Sequence, residues 1–226
     1  MSLTAPRRSA LADQVIDQLR HQITSGEWPV GSRIPTEPEL VERLGVARNT
    51  VREAIRALAH NGLLDIRQGS GTYVTATSEL AGVMLRRFED AEPRDVAELR
   101  SALEARAARL AAERRTEREL RQLETLLARR EAAWEAGEAE RFIEADATFH
   151  MAVVKASHND VLTALYADLG GVVRAFLRHD VGDRLHPAAY SDHSGLLTAL
   201  RAADPAAAEE AAGSYALSCR TVAAAG

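Results

Sequence analysis

The sequence Thr36-Glu37-Pro38-Glu39, continued by Leu44-Gly45-Val46-Ala47-Arg48-Asn49-Thr50-Val51-Arg52-Glu53-Ala54-Ile55-Arg56-Ala57-Leu58 and closed by Asn61-Gly62, sets the architecture of the first third of the chain. Thr36 and Glu39 have capping-box spacing, at which each side chain satisfies the other residue's orphan backbone N–H, and Pro38 falls in a first turn, where its missing donor is not needed. A short helix therefore runs from here and closes at Leu44-Gly45. In the next segment Val51, Ile55 and Leu58 recur at helical spacing as a buried stripe, while Arg48, Asn49, Arg52 and Arg56 take the solvent side. Asn61-Gly62 stops this helix.

Toward the N-terminus, Leu11, Val15, Leu19 and Ile23 recur every fourth position, an amphipathic helix that ends at Gly26. Toward the C-terminus, the runs 63–67 and 72–75 read as two strands joined by Gln68-Gly69-Ser70-Gly71. Helix, short helix, turn, helix and hairpin together predict a winged helix-turn-helix over residues 1–76. The first turn of its third helix offers Arg48, Asn49, Thr50 and Arg52, the place from which a recognition helix meets base edges in a major groove. Arginine suits guanine and asparagine suits adenine through paired hydrogen bonds, while Thr50 and the wing's backbone amides suit phosphates. Taken singly, each of these side chains also fits the solvated face of an amphipathic helix. Taken with the turn and the wing, they point to DNA.

Composition agrees with a helical protein. Hydrophobic residues are 46% and charged residues 27% of 226, which excludes wholesale disorder, and aromatics at 4% argue against a β sandwich or barrel. The formal charge of −5 is uneven: nine arginines against eight acids leave +1 over residues 1–76, and 19 cations against 25 acids leave −6 over 77–226. The acidic total therefore does not exclude a nucleic-acid partner for the first third. One cysteine, Cys219, closes no intrachain disulfide, and no apolar run is long enough for a membrane span. The expectation is a cytoplasmic protein with no membrane partner.

Residues 77–226 read as an antiparallel all-α bundle. Val96, Leu99, Leu103 and Leu110 mark one helix; Leu120, Leu123, Leu127 and Trp134 the next; Phe142, Phe149 and Val153 a third; Leu162, Leu165, Leu169, Val172 and Phe176 a fourth. Leu196, Leu197 and Leu200 follow, then an Ala-rich helix from Pro205 to about residue 222. Asp146 and His150 share the apolar stripe of the third helix, and His193 lies on the apolar side with Leu196 and Leu197. A carboxylate facing inward costs several kcal/mol unless paired or metal-bound. Two readings stand: three oxygen and imidazole ligands for Zn²⁺, Ni²⁺ or Mn²⁺, or a buried Asp–His hydrogen bond beside a separate core histidine.

Residues 31–75 resemble the DNA-binding domain of the GntR family of bacterial transcriptional regulators, through Gly31-Ser32-Arg33-Ile34-Pro35-Thr36-Glu37, Leu44 to Ala54 and Gly69-Ser70-Gly71-Thr72-Tyr73-Val74. The resemblance implies DNA contacts from Arg48, Asn49, Thr50 and Arg52, and from Gln68 and Gly69 at the wing tip. Pro38 departs from it, since members often carry there an arginine that helps read bases. Glu98-Leu99-Arg100 with Glu104, Asp146 to His150 with Asn159 and Leu162, and His193 with Leu196 before Asp204-Pro205 are similar to the FCD ligand-binding domain of the FadR-type subfamily. That likeness implies Asp146, His150 and His193 as metal ligands, Arg100 as a holder of a carboxylate effector, and Tyr215 where a further histidine is expected. The implied protein is a homodimeric, ligand-responsive regulator, a repressor, that reads a pseudo-palindromic double-stranded operator and senses a small organic acid. A three-ligand site with an open position also fits a metal-dependent hydrolase, and a metal-free bundle fits a regulator with a fatty-acyl effector.

Overall fold

The computed structural model describes residues 10–182, 185–187 and 190–218 and contains, among them, ten helices and one two-stranded sheet. The chain forms two compact units, residues 1–86 and 87–226.

In the first unit, α1 (Ala10–Thr24) buries Ala12, Val15, Leu19 and Ile23 at successive turns, the last three in one core with Val51, Ile55 and Leu58 of α3 (Arg48–His60). Leu11, expected on that stripe, is exposed, and Ala12 takes its place. The short α2 (Glu37–Leu44) starts as the capping spacing predicts: the Glu39 carboxylate accepts from the Thr36 backbone N–H and hydroxyl, both at 2.7 Å. It ends at Gly45, whose φ of 64° lets the chain leave in the left-handed conformation. Strands β1 (Leu64–Arg67) and β2 (Gly71–Val74) pair antiparallel, Leu64 opposite Val74 and Arg67 opposite Gly71, and Arg33 adds an isolated bridge to Tyr73. Helix α4 (Glu79–Arg87) crosses the α3–β1 turn so closely that a Cβ on Gly82 would sit 2.4 Å from the Gly62 carbonyl oxygen, so both positions need glycine.

The second unit is a helical bundle of α5 (Pro93–Arg114), α6 (Glu117–Glu135), α7 (Ala139–Ala156), α8 (Asp160–Val181), α9 (Ser194–Ala202) and α10 (Pro205–Ser218). Its core joins Leu120, Leu123, Phe149, Val153, Leu196 and Leu200 to the alanines of α5 and α10. Here the sequence expectation for α5 needs correction. Leu99 is 42% exposed, and the buried face instead carries Ala97, Arg100, Glu104, Ala107, Ala108 and Ala111. The small side chains let α10 lie close along α5, where the Ser101 hydroxyl donates to the Gly213 carbonyl at 3.0 Å. Leu99 is thereby turned outward, while Leu110 of the expected stripe is buried and Leu103 half-buried.

Candidate functional site

On α3, Arg48 and Asn49 are exposed in the first turn, and Thr50 and Arg52 are half-buried. Gln68 and Gly69 are exposed in the turn between β1 and β2, where Gly69 has a φ of 74°. Glu37, the first residue of α2, accepts from Arg48 Nε at 3.1 Å and from Arg52 Nε and NH2 at 3.3 and 3.1 Å. The Arg52 hydrogen bond, outweighing partial burial, holds the Glu37 carboxyl below its ordinary range.

A second cluster is buried in the bundle. Asp146 and His150 stand one turn apart on α7, and His193 caps the start of α9. The ligand atoms of all three lie within 4.8 Å of one another, with His150 Nε2 3.0 Å from His193 Nε2 and 3.7 Å from Asp146 Oδ1. Each ring is oriented from behind: His150 Nδ1 faces Glu104 Oε2 at 2.9 Å, and His193 Nδ1 faces the Ser191 carbonyl at 2.8 Å. Both acceptors call for N–H on Nδ1, so while both rings are neutral each Nε2 directs its lone pair at the other ring.

Two buried arginines complete the cluster. Arg100 donates from Nε to Glu104 Oε1 at 2.6 Å and from NH2 to Asp146 Oδ2 at 2.9 Å, while Arg130 donates from Nε to Asp146 Oδ1 at 2.8 Å. The Tyr166 hydroxyl donates to Glu104, and Arg130 lies 4.7 Å from the centre of the Phe142 ring. Burial pushes Asp146 and Glu104 up, but the adjoining His150 and guanidinium charges win, leaving Asp146 well below the carboxylate range and Glu104 at about 2. Burial, His150 and Arg130 pull His193 down to about 3. Burial also pulls His150 down, yet the Glu104 and Asp146 carboxylates carry it above its ordinary value. Two lone pairs 3.0 Å apart need a cation between them, a proton shared through His150 or a metal ion.

The donor set fits an ion. One ligand atom from each of Asp146, His150 and His193 lies within 4.8 Å of the others, a spread that one ion could bridge, and carboxylate with imidazole donors suits Zn²⁺, Ni²⁺ or Mn²⁺. A hydrogen-bond acceptor behind each ring, here Glu104 and the Ser191 carbonyl, is the usual support for a ligating histidine. Each Asp146 oxygen already accepts from a guanidinium but keeps a second lone pair. With neutral rings, the two arginines balance Asp146 and Glu104, so a divalent ion would leave two positive charges for an incoming anion.

Sequence reasoning singled out Asp146, His150, His193 and Arg100, and the structure brings the first three together with Arg100 buried beside them. Tyr215 lies on α10, but its side chain is outside the described residues, as is the whole of Cys219. Arg130, Tyr166 and the ring-orienting role of Glu104 escaped it. Arg130 continues the Leu123–Leu127 stripe of α6 and Tyr166 adjoins the Leu162–Leu169 stripe of α8, so an arginine in register with buried leucines was the available signal.

Residues 11–74 match the family described as bacterial regulatory proteins, gntR family, and residues 95–216 match the FCD domain. The chain is 33% identical over 210 residues to the galactonate operon transcriptional repressor of Escherichia coli (strain K12), covering 88% of this chain and 91% of that one. It is 33% identical over 165 residues to the HTH-type transcriptional regulator LutR of Bacillus subtilis (strain 168), covering 69% and 72% respectively. Among solved structures, Streptococcus agalactiae GntR aligns with a TM-score of 0.53 at 32% identity, over 92% of this chain and 98% of that one. These are transcriptional regulators, which sets aside the hydrolase reading. With a DNA-reading unit and an effector-type bundle each matched, the chain belongs to the GntR family of bacterial transcriptional regulators, in the branch that carries an FCD domain.

Proposed function

We propose that this regulator is a cytoplasmic homodimeric repressor in which residues 1–76 read one half of a pseudo-palindromic operator and residues 77–226 dimerise and sense a small organic acid. The observation that carries the reading is the buried Asp146–His150–His193 cluster flanked by Arg100 and Arg130. Zn²⁺, Ni²⁺ or Mn²⁺ would be held by those three side chains, and when bound it would anchor an anionic oxygen of the effector as a Lewis acid. Arg100 and Arg130 supply the guanidinium charge that favours a carboxylate over a neutral sugar. Tyr215, on the helix lying along α5, is the further effector contact in this reading. The galactonate operon repressor points to hydroxylated acids as the class to try first.

On the other unit, Arg48, Asn49, Thr50 and Arg52 meet the major groove and Gln68 and Gly69 the adjoining backbone. Support for a dimer comes from apolar side chains left outward on α5 and α8, Leu99 and Leu165 among them. Effector binding then changes DNA affinity through its differential affinity for the two dimer states.

Thermal unfolding of the full chain with galactonate and related sugar and hydroxy acids, each with and without the three metals, tests this reading. An acid that raises the melting temperature only when metal is present, and that changes binding to a duplex selected by the protein from a random library, is the expected result. Ion-free protein after dialysis against each metal, with no acid shifting the melt, would overturn it.

A further inference from the structure

We infer that Glu37 is a specificity-determining residue of the DNA interface: it positions the two recognition-helix arginines for base contact and restrains their sequence-independent attraction to phosphate. This rests on the reading that Arg48 and Arg52 face DNA.

The geometry is asymmetric in an informative way. Glu37 takes Arg52 side-on, through Nε and one N–H of NH2, on both carboxylate oxygens. The terminal edge of the guanidinium, with both protons of NH1 and the outer proton of NH2, is left facing away. That edge is the one that pairs with O6 and N7 of a guanine. Arg48 is held through Nε alone at 3.1 Å, so its terminal edge is left as well. Glu37 is itself fixed: it is the first residue of α2, where the Thr36–Glu39 capping contacts define the backbone and the helix dipole favours a carboxylate. Its side chain is 28% exposed, against 65% and 40% for Arg48 and Arg52, so it lies beneath the arginines and not in front of them.

Two effects of opposite sign follow. Orientation helps only where there is a base to meet, because it removes rotamer freedom that the arginines would otherwise lose on binding. Charge acts everywhere, because a carboxylate among two cations weakens attraction to any phosphate backbone. Deleting the charge therefore weakens binding to the right sequence and tightens binding to a wrong one. A role confined to holding α2 on α3 would weaken both, and a purely repulsive role would tighten both.

The test uses the full chain and two probes: a duplex enriched by the wild-type protein from a library with a randomised core, and a duplex of the same composition in shuffled order. For Glu37→Gln, binding to the enriched duplex is expected to fall about tenfold, while binding to the shuffled duplex rises about two- to five-fold and its salt dependence steepens. Glu37→Asp keeps the charge but is one methylene too short to hold both arginines, so it should lose enriched-duplex affinity without gaining shuffled-duplex affinity. Affinities for the two duplexes that move together in Glu37→Gln, or do not move, overturn the inference. Arg52→Ala separates this from the underlying reading: if it binds the enriched duplex like wild type, the interface itself is misassigned. If it binds weakly while Glu37→Gln behaves like wild type, only the role of Glu37 is lost.

Discussion

His150 on α7 and His193 at the head of α9 bring their Nε2 atoms to 3.0 Å across the bundle, although they are 43 positions apart in the chain. Neither ring can turn away without abandoning the acceptor behind it, Glu104 for one and the Ser191 carbonyl for the other. The pair is thus preorganised to share a cation, and most of what is expected of the bundle follows from that.

Metal content follows first. Full-length protein dialysed against Zn²⁺, Ni²⁺ or Mn²⁺ and then against buffer is expected to retain about one ion per chain. His193→Ala should remove it, and Glu104→Gln should lower affinity about 10–100-fold by releasing the His150 ring. Elemental analysis reads the first and competition with a chelating dye the second.

Arg130 is a structural as well as an electrostatic residue. It is 2% exposed and supplies one of the two guanidiniums on Asp146. Removing one partner of a buried pair typically costs about 3–5 kcal/mol. Arg130→Leu, measured by urea unfolding, is expected at the lower end of that range because Arg100 still holds Asp146. A change near zero would show that the pair contributes little beyond its desolvation.

In chelator, stability should fall on acidification. The His193 imidazole is held down at about 3 from 6.5, so below pH 6.5 the unfolded chain binds a proton that the native protein refuses. Glu104, brought to about 2 from 4.5, adds a loss that begins near its ordinary value and continues to its native one. Each such proton contributes a slope of about 1.4 kcal/mol per pH unit. His150 acts with the opposite sign: raised above 6.5, it contributes stability below that value that is lost as pH climbs through its native pKa. Urea midpoints should therefore peak near neutrality, and His193→Gln should flatten the acid limb.

At the DNA interface, Arg48→Ala and Arg52→Ala are each expected to cost about 1–3 kcal/mol of binding to a selected duplex. Their melting temperatures should stay close to wild type, since neither side chain belongs to the Val51–Ile55–Leu58 stripe. Thr50→Ala, a phosphate-type contact, should weaken selected and shuffled duplexes alike. Fluorescence anisotropy at two salt concentrations distinguishes these patterns.

Whatever depends on neighbours three or four positions away was legible in the chain alone. The capping box at Thr36–Glu39, the stripe on α3, the Gly69 turn of the wing and the Asp146–His150 pair on one helix face are all local patterns, set by the pitch of a helix or the geometry of a turn. What required the folded bundle was the rotation of each helix about its axis and the meeting of residues from different helices. Leu99 looked like core and is outward because the alanine face of α5 admits α10 more closely than leucines would. Arg130, Glu104 and Tyr166 come from α6, α5 and α8, and no spacing within one helix shows that they meet Asp146 and His150. A buried charge is tolerated only where its counter-charge arrives from elsewhere in the chain, and that arrival is a property of packing.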